Sequence, residues 1–264
     1  MVFYIAYRKL KKHKSGGSIS RRLEALGCKR ICNSFWEISE RRIDEVLKAV
    51  GDNQPILLKR AREIKKPVYD ESGNLIDLGS LIVVAYNAER NGGKVKGLLS
   101  KTPYVRLCRS VYALPHSGIS HYRRGSAFNI NQILALVKES DENAKIYPRM
   151  VVVNGAYATS MLVERVKVRI AHETRKIVDG YRSLIQEISE GHIDRRRVGE
   201  EERKLNSKFT SLRKISDFYD RWLKIDSSTR EIMKIYFMTR KLQSTKHIYL
   251  GGNEIKNYKE FLSA

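Results

Sequence analysis

An internal repeat constrains this chain more than any other feature of its sequence. The segment VFYIAY at Val2–Tyr7 returns as LIVVAY at Leu81–Tyr86. Beyond these segments, Gly16–Ile38 aligns without a gap with a second stretch at an offset of 76 residues, and the apolar positions of the two copies coincide. The identical pairs are Gly16 with Gly92, Gly17 with Gly93, Leu23 with Leu99, Arg30 with Arg106, Cys32 with Cys108 and Ser34 with Ser110. The duplication predicts that the chain forms an internal pseudo-dimer.

Each copy predicts the same order of elements. In the first copy, Val2–Tyr7 predicts a buried strand, and the helical spacing of Ile19 and Leu23 predicts a helix that ends at Gly27. A strand or hairpin over Cys28–Ile38 follows, and then come a helix at Glu40–Val50 and a strand from Pro55. The second copy predicts a strand at Leu81–Tyr86, a hairpin within Tyr104–Leu114, a helix at Asn129–Glu139 and a strand from Pro148. This order is the split βαβ pattern of ferredoxin-like domains.

The apolar pattern becomes helical after Thr159. It predicts two long helices joined near Gly191–Gly199, and a third, shorter helix over Ser227–Leu242. The predicted fold class is therefore α+β, with two tandem ferredoxin-like (split βαβ) domains followed by a C-terminal α-helical hairpin. We expect repeat one at residues 1–66, a linker at 67–79 with a small hairpin around Ser72–Asn74, repeat two at 80–155, and the helical region at 156–264.

The charge of the chain favours a polyanionic partner. Its net charge is +22, from 51 basic and 29 acidic residues. The excess is greatest in residues 1–66, which hold 17 basic against 7 acidic residues. Adaptation to high temperature would bring a matching acidic enrichment, which the sequence lacks. The composition therefore predicts binding to nucleic acid.

The sequence offers little support for a membrane, metal or cofactor role. No apolar run reaches the roughly 18 residues that a spanning helix needs, so we expect a cytoplasmic protein without a membrane partner. The three cysteines do not form a disulfide framework, and Cys32 and Cys108 are predicted to be small buried apolar residues. No zinc-ligand spacing, Walker loop or dinucleotide fingerprint is present, so no metal or cofactor is expected.

The loop YRKLKKHKSGGS at Tyr7–Ser18 is the first candidate binding site. Its ammonium and guanidinium groups lead into a Gly-Gly turn and a helix start, a combination that suits phosphate. The second copy has NAERN at Asn87–Asn91 instead, so the fold itself does not require basic residues here. A solvated loop is the alternative interpretation. The candidate residues are Arg8, Lys9, Lys11, Lys12 and Lys14, with Arg21 and Arg22 on the helix.

Two further segments are candidates for contact with nucleic acid. The insertion HSGISHYRRGS at His116–Ser126 carries His121, Tyr122, Arg123 and Arg124, which suit base stacking and phosphate contact. An ordinary polar surface loop is the equally supported alternative. Arg195, Arg196 and Arg197 lie at the predicted tip of the helical hairpin. Ion pairing with the acidic run Glu200–Glu202 explains these arginines more simply than contact with a ligand does.

Three short segments resemble a superfamily of ferredoxin-like domains. They are RRLEALG at Arg21–Gly27, NSFWEI at Asn33–Ile38 and RSVYALP at Arg109–Pro115. The last of them, with the later helix LRKISDFYDRW at Leu212–Trp222, also resembles the amino-terminal region of ChrB-type chromate-resistance regulators, in which a long helical segment follows such a domain. This resemblance implies DNA binding, although only about forty residues follow Trp222, too few for the family's separate sensor domain.

The same segments also resemble the small CRISPR adaptation subunit, Cas two. Some members of that family use an aspartate after a tyrosine at the end of the first strand to hold a divalent ion. Here the corresponding pairs are Tyr7-Arg8 and Tyr86-Asn87, so neither copy supplies the carboxylate. Carboxylates elsewhere, such as Glu37, Asp44 and Glu89, are not grouped by any sequence pattern.

These observations together predict a non-enzymatic nucleic-acid-binding protein. The resemblance favours a DNA-binding regulator that contacts duplex DNA in preference to RNA. One alternative is a metal-dependent nuclease of the CRISPR adaptation type. The other is a protein-interaction module, in which the C-terminal helices bind a protein partner or a second copy of the chain.

Overall fold

In the computed structural model, the described residues are 2–8, 16–86, 102–116, 130–225 and 227–249, with Gly93, Val95, Gly97 and Leu99. This part of the chain has a mixed α+β fold with a C-terminal helical region, as the sequence predicts. Its strands are β1 (Val2–Ala6), β2 (Lys29–Cys32), β3 (Phe35–Ser39), β4 (Ile56–Arg60), β5 (Val68–Tyr69), β6 (Leu75–Asp77), β7 (Leu81–Ala85), β8 (Val105–Cys108), β9 (Val111–Pro115) and β10 (Lys145–Val152). Its helices are α1 (Gly16–Ala25), α2 (Ile43–Val50), α3 (Ile130–Ser140), α4 (Gly155–Ser189), α5 (Arg195–Leu223) and α6 (Ser227–Tyr249), with a 3₁₀ turn at Glu40–Arg42.

Eight strands form a single antiparallel sheet in the order β2-β3-β1-β4-β10-β7-β9-β8. We call β2, β3, β1 and β4 the first half of the sheet, and β10, β7, β9 and β8 the second half. Each half repeats the same strand order outward from the middle. The last strands of the two copies join the halves, with Lys59 of β4 opposite Val151 of β10. The duplication has therefore produced one continuous sheet.

One face of the sheet packs against helices in both halves. In the first half, Ile5 and Trp36 pack with Leu23 of α1 and Val46 of α2. In the second half, the corresponding core contains Val84 and Leu114 of the sheet with Ile133 and Val137 of α3, and also Val95 and Leu99. Burial of each large apolar side chain contributes about 1.5–3 kcal/mol, so these two cores hold the helices on the sheet.

The opposite face of the sheet is also buried, and it is concave. The ring of Tyr147 on β10 lies 5.0 Å from that of Tyr4 on β1 and 5.7 Å from that of Phe35 on β3. In a flat sheet, β3 and β10 would be about 14 Å apart, so the sheet must curl to bring these rings together. The fully buried apolar residues on this face include Ala6, Phe35, Ile56, Leu58, Leu81, Val83, Val111 and Ala113.

Strand β10 begins earlier than the sequence predicts. It starts at Lys145 and continues through Pro148, where the sequence places the beginning of the strand. The pairing with β7 shifts between Tyr147 and Met150, and Arg149 has a positive φ of 58°. Proline cannot donate to a sheet, and a bulge is one of the positions where a strand tolerates it.

The segment between the two repeats forms the predicted hairpin, with β5 paired to β6. The hydroxyl of Tyr69 donates to the carbonyl of Trp222 at 2.7 Å, and Trp222 Nε1 donates to the carbonyl of Leu78 at 3.2 Å. At Gly79, which has φ of 73°, a Cβ atom would lie 2.8 Å from the backbone of Lys65. Only glycine fits at this close approach.

The chain divides into two compact units. Unit 1 is Met1–Val166 with Trp222–Lys224, and unit 2 is Lys167–Arg221 with the residues from Ile225 onward. The boundaries that the sequence predicts inside unit 1 stay predictions. No helix in the described residues is both long enough and apolar enough to cross a membrane.

Unit 2 is built from helices, and its apolar core includes Ile177, Leu205 and Ile235. A Cβ atom at Gly180 would lie 2.6 Å from Leu205 Cδ2, so glycine allows α4 and α5 to approach closely. The third helix, α6, extends to Tyr249 and is longer than the segment ending at Leu242 that the sequence predicts. Near this end, Gln243 and Lys246 both donate to the carboxylate of Glu202 on α5. Such contacts between distant residues produce no periodic pattern, so the sequence does not indicate the extra length of the helix.

Candidate functional site

The side chain of Arg165 on α4 is the centre of the candidate site. Its Nη1 donates to the carbonyl of Leu107 at 2.7 Å and to that of Arg106 at 3.2 Å, and both carbonyls belong to the edge strand β8. Its Nη2 donates to Gln54 Oε1 at 2.9 Å. Its Nε is buried and has no hydrogen-bond partner in the described residues. The guanidinium group therefore joins α4 to both halves of the sheet through neutral acceptors.

No carboxylate in the described part of the chain balances the charge of Arg165. Burial, and to a lesser extent the nearby positive charge of Arg8, together lower the pKa of Arg165 to about 10. Arginine keeps its proton even at this pKa, so at neutral pH two cations lie close together in a partly dehydrated place. Such an arrangement costs free energy that a bound anion would recover.

Arg8 is exposed and lies at the end of β1, where a loop between α2 and β4 holds its backbone. The backbone N–H of Arg8 donates to the carbonyl of Asn53 at 2.9 Å, and the buried Asn53 donates through Nδ2 to the carbonyl of Val50 at 2.7 Å. Gln54 has a positive φ of 51°, which a residue other than glycine rarely adopts. The proline at position 55 restricts the backbone of Gln54 further. The loop accepts this strain while it presents the Gln54 amide to Arg165.

The two edge strands carry equivalent arginines. Arg30 on β2 lies over the ring of Trp36 at 5.8 Å, and Arg106 on β8 lies over the ring of Tyr112 at 5.9 Å. Both arginines are exposed, and each is fixed by a second contact, Arg30 with Asn33 and Arg106 with the carbonyl of Arg109. Both halves of the sheet thus present an ordered cation at their outer edge.

The equivalent cysteines Cys32 and Cys108 meet at the ends of these two edge strands. Their thiols form a hydrogen bond, which lowers the pKa of Cys32 and raises that of Cys108. Strands β2 and β8 are the outermost strands of the eight, so in a flat sheet they would be about 34 Å apart. The contact shows that the curled sheet brings its two edges together at this end, near Arg165.

The structure brings only some of the predicted site residues together. Arg8 lies close to Arg165, whereas Arg21 and Arg22 are exposed on α1. Arg196 forms an ion pair with Glu200 at 3.3 Å, one of the pairs that the sequence predicts at the hairpin tip. There, the backbone N–H of Arg197 donates to Asp194 Oδ1 at 2.8 Å, and Arg195 is the first residue of α5. Lys9, Lys11, Lys12, Lys14, His121, Tyr122, Arg123 and Arg124 lie outside the described residues.

The sequence did not single out Arg165 or Gln54. Arg165 lies beside the buried Leu162 and Val166 on α4, and its position next to an apolar stripe is the one signal that the sequence contains. Cys32 also departs from the prediction, because it is half-buried and in contact with a thiol, whereas Cys108 is buried as predicted. The positions of Arg165, Gln54 and Cys32 depend on packing between distant parts of the sequence.

Among the described residues, no group of three or more His, Cys, Asp or Glu side chains is arranged to hold a metal ion. Glu37 and Asp44 belong to this part of the chain, while Glu89 lies outside it. No family model matches the chain, and no curated protein and no solved structure matches it either.

Proposed function

We propose that this chain is a nucleic-acid-binding protein that holds phosphate groups at Arg8 and Arg165. The observation that carries the proposal is a half-buried guanidinium group without an acidic partner in the described residues, next to a second, exposed guanidinium group. A phosphate oxygen is the acceptor that such a pair accommodates best, because it is anionic and accepts several N–H groups.

The proposed architecture is a pair of ferredoxin-like domains that form an internal pseudo-dimer. Its support is the strand order of each half, which is that of a split βαβ domain with all neighbouring strands antiparallel. The junction between β4 and β10 supports a pairing of the two copies side by side. Such a pairing would present the two edge arginines, Arg30 and Arg106, on equivalent strands.

The charge distribution supports a polymeric anion as the ligand. Residues 1–66 carry 17 basic and 7 acidic residues, and Arg8 opens the basic loop that continues to Lys14. A phosphate chain would let Arg8 and Arg165 act together with this loop, while a single small anion would engage the arginine pair alone. Duplex DNA is our preferred ligand, on the resemblance to the ChrB-type regulators, and single-stranded DNA and RNA are the competing ligands.

The test is a titration of duplex DNA, single-stranded DNA and RNA across a salt series, with Arg8→Gln as the informative variant. Arg8 is exposed, so the variant is expected to fold. Each lost phosphate contact lowers the slope of log K against log salt by about 0.9 for duplex DNA, and we expect that change for Arg8→Gln. The matched control is Arg182→Gln, which removes one positive charge from an exposed ion pair with Asp179 in unit 2.

Two outcomes would contradict the proposal. Binding that is absent for all three nucleic acids, or that does not respond to salt, would favour the protein-interaction alternative. Cleavage of the nucleic acid in Mg²⁺ or Mn²⁺ that a chelator abolishes would favour the nuclease. An equal loss in Arg8→Gln and Arg182→Gln would show that net charge, and not this site, governs binding.

A further inference from the structure

Cys32 and Cys108 are equivalent residues of the two repeats that contact each other. They align at the offset of 76 residues that relates the copies, and they lie at the ends of β2 and β8. In a two-fold arrangement, a residue that contacts its own equivalent lies at the symmetry axis. The two thiols therefore mark the place where the edges of the duplicated sheet meet.

The surroundings of the two sulfur atoms are basic. Arg30 and Lys145 act on Cys32, which also accepts a hydrogen bond from the backbone of Ser34. Arg106 acts on Cys108, and the guanidinium group of Arg165 lies within electrostatic range of it. Tyr147 is the further titratable group that faces Cys32. The hydrogen bond from the second thiol is the main cause that lowers the pKa of Cys32, burial opposes it, and the backbone of Ser34 and the two positive charges add to the lowering.

We propose that Cys32 and Cys108 form a reversible intramolecular disulfide, and that Cys32 is the thiol that reacts first with a low-molecular-weight disulfide. The proposal assigns an oxidation site that is independent of nucleic-acid binding. The reaction brings the two sulfur atoms from side-chain contact to the bond length of about 2.05 Å.

The reaction consists of two balanced exchanges. The Cys32 thiolate attacks one sulfur of the small disulfide, a protein–small-molecule disulfide forms, and the other half of the reagent leaves as a thiolate. The Cys108 thiol then loses its proton and attacks the Cys32 sulfur, which releases the second half of the reagent as a thiolate. The two protons of the protein thiols pass through the solvent to the two leaving thiolates, so the protein thiols are oxidised to one disulfide and the reagent is reduced to two thiols.

Exposure sets the order of these two steps. Cys32 is partly exposed, whereas Cys108 is only 4% exposed, so a reagent in solution reaches Cys32 first. The hydrogen bond between the thiols also lowers the pKa of Cys32 while it raises that of Cys108. Cys108 is therefore the resolving thiol, which attacks only after Cys32 has been modified.

Cys28 provides an internal control for this chemistry. It is partly exposed like Cys32, but burial raises its pKa. A reagent that selected cysteines by exposure alone would modify both residues at similar rates. A reagent that selects by thiolate content would prefer Cys32, because the reactive thiolate fraction changes about tenfold for each unit of pKa.

The experiment uses the full chain, oxidised glutathione at neutral pH, acid quenching, alkylation of the remaining thiols, and peptide mass mapping over time. We expect two of the three cysteines to be lost to a Cys32–Cys108 disulfide, with Cys28 modified more slowly than Cys32. Dithiothreitol should restore all the thiols. The Cys108→Ser variant should accumulate glutathione on Cys32, and the Cys32→Ser variant should leave Cys108 unmodified.

Several results would overturn the proposal. One is modification of Cys28 ahead of Cys32. Another is a final product of the chain without substitutions in which Cys32 stays linked to glutathione while Cys108 stays a free thiol. A third is a disulfide between two separate chains, which non-reducing electrophoresis would reveal. The peptide map of the chain without substitutions distinguishes these results even if a serine variant fails to fold.

Discussion

The two halves of the sheet have the same strand order, but one equivalent pair of aromatic residues is hydrogen-bonded in one half and not in the other. In the second half, Tyr86 and Tyr112 are hydrogen-bonded, with ring centroids 5.6 Å apart. Tyr7 and Trp36 hold the equivalent positions of the first half, and both Tyr7 Oη and Trp36 Nε1 are buried without a hydrogen-bond partner in the described residues. The fold therefore needs two large rings at these positions and does not need the bond between them.

The halves also differ where they meet α4. Arg165 donates to the carbonyls of Arg106 and Leu107 on β8, while its contact with the first half is the side chain of Gln54. The first strand of repeat one ends in Tyr7-Arg8, and that of repeat two ends in Tyr86-Asn87. Arg165 lies outside the two repeats and bonds differently to each half, so the site around it is asymmetric although the sheet is nearly symmetric.

A covalent link between the halves should give the largest change in stability. Cys32 and Cys108 lie 76 positions apart, and closing a loop of this length stabilises a fold by about 4 kcal/mol in the chain-entropy account. We expect the oxidised Cys28→Ser variant to unfold at higher urea than the same variant after reduction. The two tryptophans, Trp36 and Trp222, both lie in unit 1, so their fluorescence reports the unfolding of this unit.

The control for this comparison is the Cys32→Ser, Cys28→Ser double variant, whose unfolding should not respond to the oxidant. Equal urea midpoints for the oxidised and reduced forms of Cys28→Ser would show that the two edges gain nothing from the link. That result would mean that the disulfide adds nothing to the free energy of unfolding of unit 1.

The basic loop of repeat one should dominate binding to nucleic acid. The NAERN segment of repeat two holds one basic residue, Arg90, beside one acidic residue, Glu89, so it lacks the excess charge that Lys9, Lys11 and Lys12 give repeat one. Changing all three to Ala should lower the salt slope by about 2.7 and weaken duplex DNA binding roughly 100-fold at physiological salt. The measurement is fluorescence anisotropy across a salt series.

A triple variant of unit 2 is the matched control. Lys176, Lys204 and Lys234 are exposed and already paired with Glu173, Glu201 and Glu231. Changing these three lysines to Ala removes the same charge, and we expect the salt slope to stay as it is. Equal losses in the two triple variants would sink the assignment of binding to the loop.

The aromatic pairs predict opposite effects of one substitution. Tyr86→Phe removes a hydrogen bond and should cost about 1 kcal/mol of stability. Tyr7→Phe removes a buried hydroxyl that has no partner, so it should be neutral or stabilise the fold by up to about 1 kcal/mol. Urea unfolding measures both variants. A loss for Tyr7→Phe as large as that for Tyr86→Phe would show that the Tyr7 hydroxyl does have a bonding role.

The smallest expected effect is on the pH dependence of alkylation. The pKa of Cys32 is lowered and that of Cys28 is raised, so the iodoacetamide rate at Cys32 should reach half of its maximum at the lower pH. Cys108→Ala removes the thiol that bonds to Cys32, and the midpoint for Cys32 should then move to higher pH. An unchanged midpoint in this variant would show that the basic residues alone lower the pKa of Cys32.

Much of the fold could be predicted because its elements follow local patterns. The continuous apolar run of β1 indicates a strand that is buried on both faces, and the helical spacing of Ile19 and Leu23 indicates the apolar face of α1. Gly27, with φ of 69°, ends α1 as the sequence predicts. The early start of β10 escaped prediction because Pro148 reads as a boundary unless the bulge beside it is known.

The candidate site was less predictable because its contacts span long stretches of the chain. Arg8 stood out through the charge of its loop, but its neighbour Arg165 comes from a helix whose pattern indicates only burial. The bond from Arg165 to Gln54 joins residues 111 positions apart. No periodicity relates such residues, and only the packing of α4 on the sheet brings them together.

The duplication, the order of strands and helices in each copy, and the excess of positive charge can all be read from the amino-acid sequence. They follow from local periodicity and composition, which do not depend on how the copies meet. The pairing of β4 with β10, the curl that brings Cys32 to Cys108, and the placement of Arg165 beside Arg8 appear only in the folded chain. An apolar pattern indicates which faces are buried, but the partner of each face depends on packing across the whole sheet.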